Sequence, residues 1–154
     1  MDRIAVPYGE VWVACDGSDN VLSVAAWMLP NSAVPASVLN EIGAAQATLE
    51  GVRHEASVKA EAFVARLRPT VPHYYLGAVG TRRDRQQEGL GAAVLTPILD
   101  RACRENEPVF LETSASENVR FYAGLGFVTI TETDIPDGGP HVWAMMRDGL
   151  STRT

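Results

Sequence analysis

Between Arg82 and Leu95 the chain reads "RRDRQQEGLGAAVL", with three arginines, two glutamines and two glycines around an apolar start. None of these side chains is a nucleophile; they are the types that hold an anion. A strand feeding a short basic turn and then a helix presents first-turn N–H groups that have no acceptor within the helix, and the helix dipole favours negative charge there. Gly89 and Gly91 carry no Cβ, so a phosphate can approach the main chain. Arg82, Arg83 and Arg85 can add charge-assisted bonds to an outlying phosphate. Taken alone, these residues are described equally well as a glycine-softened helix start with a solvated basic rim.

Two named phosphate loops are excluded. A P-loop needs Lys followed by Ser or Thr after its last glycine, and Ala92 and Ala93 stand there; a dinucleotide fingerprint needs glycine where Val94 stands. His54, His73 and His141 are scattered without ligand spacing, so no metal is expected. Cys15 and Cys103 have no Cys-x-x-Cys spacing, which argues against a disulfide framework or a zinc site and reads as two small apolar core residues.

The elements that must position this turn are legible as periods. Val11, Val13 and Cys15 alternate with Glu10, Trp12 and Ala14; Asp16 to Asn20 supply a turn, and Val21 to Leu29 resume an apolar run, so two antiparallel strands are expected. Helical character follows from Ala36 to Leu67, broken near Gly51, with Ala56, Ala60, Phe63 and Leu67 as one stripe. "HYYLGAVGT" predicts a buried strand, with Gly77 or Gly80 marking a bulge or a close backbone approach. After the basic turn, Val94, Leu95, Ile98, Leu99, Ala102 and Cys103 form a helical stripe in which Pro97 should introduce a kink. "PVFLETS" is a strand, and "SASENVRFYAGLGF" a helix opened by a capping box of Ser114 and Glu117 and stopped at Gly124 or Gly126. The stretch around "PDGGP" reads as a closing hairpin. The class is mixed α/β.

Composition agrees with an ordinary globular chain. The 154 residues are 46% hydrophobic and 21% charged, with a formal net charge of −6 and Lys59 as the only lysine. That charge argues against a nucleic-acid partner. The start "MDRIAVPYGE" lacks the apolar stretch of a signal peptide and no run approaches membrane-spanning length, so a cytoplasmic protein with no membrane partner is expected.

The pattern Gln86-x-x-Gly89-x-Gly91 at a helix start after a strand resembles the acyl-CoA signature of the GNAT superfamily of N-acetyltransferases. "YLGAVGTRRDRQQEGLGAAVLTPIL", "FLETSASENVRFYAGLGF" and "PDGGPHVWAMMRD" follow in that family's order, and "GEVWVACDG" is similar to its second strand. Over about residues 9 to 147 the likeness is closest to the puromycin N-acetyltransferase branch, which carries a helical insertion where residues 36–68 lie. The resemblance implies a GNAT fold, α/β (α+β), with a mixed, mostly antiparallel sheet and flanking helices. It implies one domain over 1–154: a strand pair over 9–30, the insertion over 36–68, an acetyl-CoA-binding strand–loop–helix over 73–106 and a strand–helix–hairpin over 108–147.

Its implied roles fall on named positions. Val79, Gly80 and Thr81 would meet the pantetheine arm, and Gln86, Gln87, Glu88, Gly89, Leu90, Gly91 and Ala92 would wrap the pyrophosphate of acetyl-CoA. Glu88 departs from the commoner basic or neutral residue and is expected to point to solvent or pair with an arginine. Acetyl transfer to an amine needs a neutral amine, a donor for the oxyanion and a proton for the departing thiolate. Tyr122 matches the family's proton-donating tyrosine, Asn118 one turn earlier shares its helix face as a pantetheine contact, and Glu112 is the candidate general base. A core aromatic with a bonded hydroxyl is the other reading of Tyr122, but Phe121 is expected to be the core anchor; a backbone-bonded structural carboxylate is the other reading of Glu112.

Family members begin with a strand and two helices before the strand matched by "GEVWVACDG", so an N-terminally shortened GNAT domain is expected, with Val11 to Cys15 as an open edge that invites a homodimer. The expected activity is transfer of acetyl to a primary amine of a small molecule, of puromycin type. Acetylation of protein N-termini or lysines, or a catalytically weak CoA-binding module, are the alternatives.

Overall fold

The computed structural model describes residues 2–149. Helix α1 (Asp2–Tyr8) leads into strands β1 (Glu10–Cys15) and β2 (Val21–Met28), followed by α2 (Ala36–Glu50), a single 3-10 turn and α3 (His54–Ala65). Then come β3 (Tyr74–Thr81), a second 3-10 turn, α4 (Leu90–Glu105), β4 (Val109–Thr113), α5 (Ser116–Ala123), β5 (Val128–Asp134) and β6 (His141–Arg147). The strands form one six-stranded sheet in the order β1-β2-β3-β4-β6-β5, with β1–β2 and β2–β3 antiparallel and β3–β4 parallel.

Two compact units are distinguishable. Among the described residues the first draws on 2–32, Val71–Leu111 and 146–149, the second on Ala33–Thr70 and Glu112–Met145. In the first, α4 lies on β1, β2 and β3 and buries Val94, Leu95, Ile98, Leu99 and Ala102 against a core that includes Trp27, Leu76, Val109 and Phe110. Each large apolar side chain removed from water contributes roughly 1.5–3 kcal/mol, so this face anchors the helix and with it the turn at its start. α4 runs through Pro97 without a break, and Asn106 ends it in a left-handed cap with φ 55°.

Helix α1 was not legible in the sequence. Its Ala5 is buried, and Gly9 makes the passage into β1 because a Cβ there would lie 2.0 Å from the Trp27 carbonyl oxygen. The alternation of β1 is present, but the valine face is the exposed one. Val11 is 39% and Val13 49% exposed, while Glu10 on the other face pairs with Arg101 of α4. Cys15 shares the valine face and is exposed, which corrects its expected place in the core; Cys103 is half-buried.

In the second unit, Tyr122 and Phe127 pack edge to face and are buried, as are Val142, Ala144 and Met145. α2 and α3 bury no residue at all.

Candidate functional site

Strand β3 carries the first part of the site. Its register with β2 slips between Ala26 and Trp27, which face Ala78 and Leu76, so Gly77 is the extra residue of a bulge. With β4 it pairs only at Tyr74 and Tyr75, opposite Val109 and Phe110. From Leu76 to Thr81, therefore, the edge of β3 that faces away from β2 has no strand register among the described residues.

Parity decides which main-chain groups lie on that open side. The Arg82 amide donates to the Leu22 carbonyl at 2.9 Å, and the Gly80 carbonyl accepts from the Ser23 hydroxyl at 3.0 Å, so both positions look toward β2. Alternate residues of a strand direct their N–H and C=O oppositely, which puts those of Val79 and Thr81 on the open side. Gly80 contributes differently: a Cβ built there meets nothing within 4 Å.

The turn after β3 is shaped by two positive torsions, φ 67° at Gln87 and φ 80° at Gly89. Gly89 is the N-cap of α4, offers no side-chain cap, and has open space where a Cβ would stand. Ala93 is the first residue to donate back, to the Gly89 carbonyl at 3.0 Å. The amides of Gln87, Glu88, Gly89, Leu90, Gly91 and Ala92 have no acceptor among the described residues. Such a run of acceptorless donors at a positive helix end suits a diphosphate. Gln86 is turned back, its side-chain amide 3.4 Å from the Thr81 carbonyl.

The basic rim differs from expectation. Arg82 is held by Asp84 at 2.7 Å and Arg85 by Glu88 at 2.8 Å. Two of the three arginines expected to reach a phosphate are thus engaged by neighbouring carboxylates. Glu88 takes the second of its expected options, and the Arg85 guanidinium holds its carboxyl below the usual range.

The second unit contains the other expected residues. α5 starts after Ala115, which has extended backbone and no side-chain cap, so the Ser114–Glu117 box does not form. The Thr113 hydroxyl lies just ahead of the helix, accepting from the Ala115 amide at 3.3 Å and from the Asn118 side-chain amide at 3.2 Å. Gly126, at φ 87°, makes the left-handed turn after the helix. Tyr122 is 6% exposed whereas Phe121 is 37% exposed, so the tyrosine ring, and not Phe121, is the core anchor. Its hydroxyl nevertheless has no hydrogen-bond partner among the described residues, and burial pushes its pKa above the ordinary tyrosine value.

Glu112 is bound by Arg68, which follows α3, at 2.8 Å. Arg68 and Thr113 were both missed from sequence, because ties across 44 and 5 positions leave no periodic trace. The three histidines sit in local contacts: His54 with Glu50, His73 with the Val71 carbonyl and His141 with Asp134. Among the described residues no group of three or more His, Cys, Asp or Glu could hold a metal ion, and no helix is long and apolar enough to cross a membrane.

No family model matches the chain. Solved structures do. A Corynebacterium glutamicum protein described as histone acetyltransferase HPA2 and related acetyltransferase superposes with a TM-score of 0.61 at 22% identity, covering 93% of this chain and 66% of its own. An agmatine N-acetyltransferase gives 0.59 at 16% identity, covering 94% and 76%. The NatC complex bound to Gag peptide and CoA gives 0.57 at 13%, covering 90% and 70%. The chain thus spans about two thirds of the Corynebacterium protein's length. At these identities the likeness shows the fold, and that fold is the GNAT fold expected from the motifs.

Proposed function

We propose that the chain is an acetyl-CoA-dependent N-acetyltransferase acting on a primary amine of a small molecule, on the puromycin-acetylating branch of the GNAT superfamily. The observation that carries this reading is the row of acceptorless amides from Gln87 to Ala92 at the mouth of α4. Acetyl-CoA, when bound, supplies the acyl group activated as a thioester. The amides hold its diphosphate, Val79 and Thr81 add main-chain bonds to its arm, and Asn118 offers a side-chain amide to the same arm.

Tyr122 donates the proton that a departing thiolate takes up. Ordinary tyrosine and thiol pKa values, near ~10 and ~8.5, put this transfer about 2 kcal/mol uphill, and burial of the ring adds to that while keeping the hydroxyl protonated. The term stays small beside a chemical barrier. Glu112 accepts the amine's proton, directly or through water, with Arg68 fixing its carboxylate. An α-amine of pKa about 8 is already partly neutral at physiological pH, whereas a lysine-like amine at ~10.4 would need roughly 4.6 kcal/mol to deprotonate at neutral pH, so weakly basic amines are the favoured acceptors.

Calorimetry with acetyl-CoA followed by thiol release with a panel of amines tests the reading. Tyr122→Phe should lower turnover by about 10²–10⁴-fold, the usual worth of a positioned acid, and leave acetyl-CoA binding unchanged. Turnover should rise with pH through the acceptor's pKa of about 8 and stay high to about pH 10, since the raised Tyr122 pKa keeps the acid protonated. Absence of acetyl-CoA binding would overturn the proposal. Label transferred to peptides or proteins but not to small amines would replace its substrate class. β1 ends the sheet, so a second copy pairing at its edge is the proposed route to a homodimer, which sedimentation would show.

A further inference from the structure

The second unit contains a groove of about 700 Å³ between α3 and the loop Ile135–Gly139 that joins β5 to β6. That is the size of a small-ligand site. Its floor is the helix stripe Ala56, Ala60 and Phe63, faced by Ile135 and Pro136 across the groove. The loop wall is fixed by main-chain bonds, from the Ile135 amide to the Pro140 carbonyl at 3.0 Å and from the Gly139 amide to the Pro136 carbonyl at 3.3 Å. The stripe has the period of a core helix, yet the structure spends it on lining open space.

The charges on the rim are distributed unevenly. Toward one end lie Glu55 and Lys59, paired at 2.8 Å, and Asp137, whose charge adds to the pull on the Lys59 ammonium. This end carries one negative charge beyond neutrality. The backbone of Arg66, seven positions after Lys59, lies about 10 Å farther along the helix axis, and its side chain folds back toward Ala62 and Phe63. Its guanidinium stands over the Phe63 ring at 5.8 Å, and its Nε donates to the Ala62 carbonyl at 3.3 Å. Among the described residues no carboxylate contacts Arg66 and no cation contacts Asp137. The groove thus has an apolar floor, an unneutralised anion at one end and an unneutralised cation at the other.

We propose that this groove binds a zwitterionic amine of the short-peptide kind, with its free α-amine at Asp137, an apolar side chain on Phe63 and its carboxylate on Arg66. Three extended residues span about 10 Å, the helix rise from Lys59, which feels the Asp137 charge, to the backbone of Arg66. A charge-assisted bond at each end gives orientation as well as affinity. The inference names a class of amine for the acetyl-transfer reading and rests on that reading only there; an amine paired with Asp137 is held protonated and must leave that carboxylate to be acetylated, and the binding itself needs no acetyl-CoA.

The test is calorimetry of the full chain, without acetyl-CoA, against alanyl-phenylalanyl-alanine and its N-acetylated and C-amidated forms. The free tripeptide should bind, and blocking either end should weaken it about tenfold. Arg66→Glu should abolish the preference for the free acid over the amide, and Asp137→Asn the preference for the free amine over the acetylated form. Melting curves establish that both variants fold, and Arg66→Gln repeats the first comparison if Arg66→Glu does not. No binding at millimolar peptide, equal binding of the blocked forms, or preferences that survive the substitutions would overturn the proposal. Amine turnover without these preferences removes the groove alone; preferences without turnover remove only the acetyl-transfer reading.

Discussion

Helix α4 buries Val94, Leu95, Ile98, Leu99 and Ala102, whereas α2 and α3 together bury none of their residues. Both regions show a helical period, so the difference lies in what occupies it. The α4 stripe is made of branched side chains that remove large apolar areas from water. The α3 stripe is two alanines and a phenylalanine, with Leu67 beyond the helix end, and the area it can remove is small. One helix is held rigidly against a sheet and presents its amides in a fixed place. The other pair keeps an uncovered apolar face that a ligand can use.

The sharpest way to break this contrast is to trim each helix equally. Ile98→Ala should cost about 2–5 kcal/mol of folding stability, because Ile98 is fully buried, and denaturant unfolding would show it. Leu49→Ala in α2, where the leucine is 86% exposed, should stay within about 0.5 kcal/mol in the same assay. Similar losses at both sites would mean that the helical pair is packed in solution.

A smaller effect is expected at the mouth of α4. Gly89→Val must adopt a φ of 80° that a β-branched residue rarely reaches, and it should weaken acetyl-CoA binding about tenfold and lower the melting temperature by a few degrees. The smallest concerns Glu88, which is exposed and paired with Arg85. Glu88→Gln should free the arginine for a phosphate and strengthen acetyl-CoA binding a few-fold at low salt, an advantage that fades as ionic strength rises. Weaker binding in that variant would show that the ion pair shapes the turn.

Much of this was legible in the chain. Turn chemistry at Asp16–Asn20 and at "PDGGP" marked both hairpins, and the stripe of α4 marked both the helix and its buried face. What escaped had a physical reason in each case. β1 alternates as expected, but a period of two does not say which face turns inward; Glu10 went inward because Arg101 meets it there, and Cys15 went out. The box at Ser114 failed because the helix starts one residue late, with Ala115 at its N-cap, so Glu117 is not three positions inside it. Tyr122 and Phe121 are adjacent aromatics, and only the packing of Phe127 decides which is buried. Arg68 reaches Glu112 across 44 positions, a distance at which no local pattern speaks.

The register of β3 with β4 ends at Tyr75 and Phe110, which leaves the peptide groups of Val79 and Thr81 on that side without a strand partner. On the proposed reading, a pantetheine arm docking there would be indifferent to which side chains flank it, provided the strand keeps its pleat. Replacing those side chains can tune the rim of the site, but erasing its grip requires proline or a change of register.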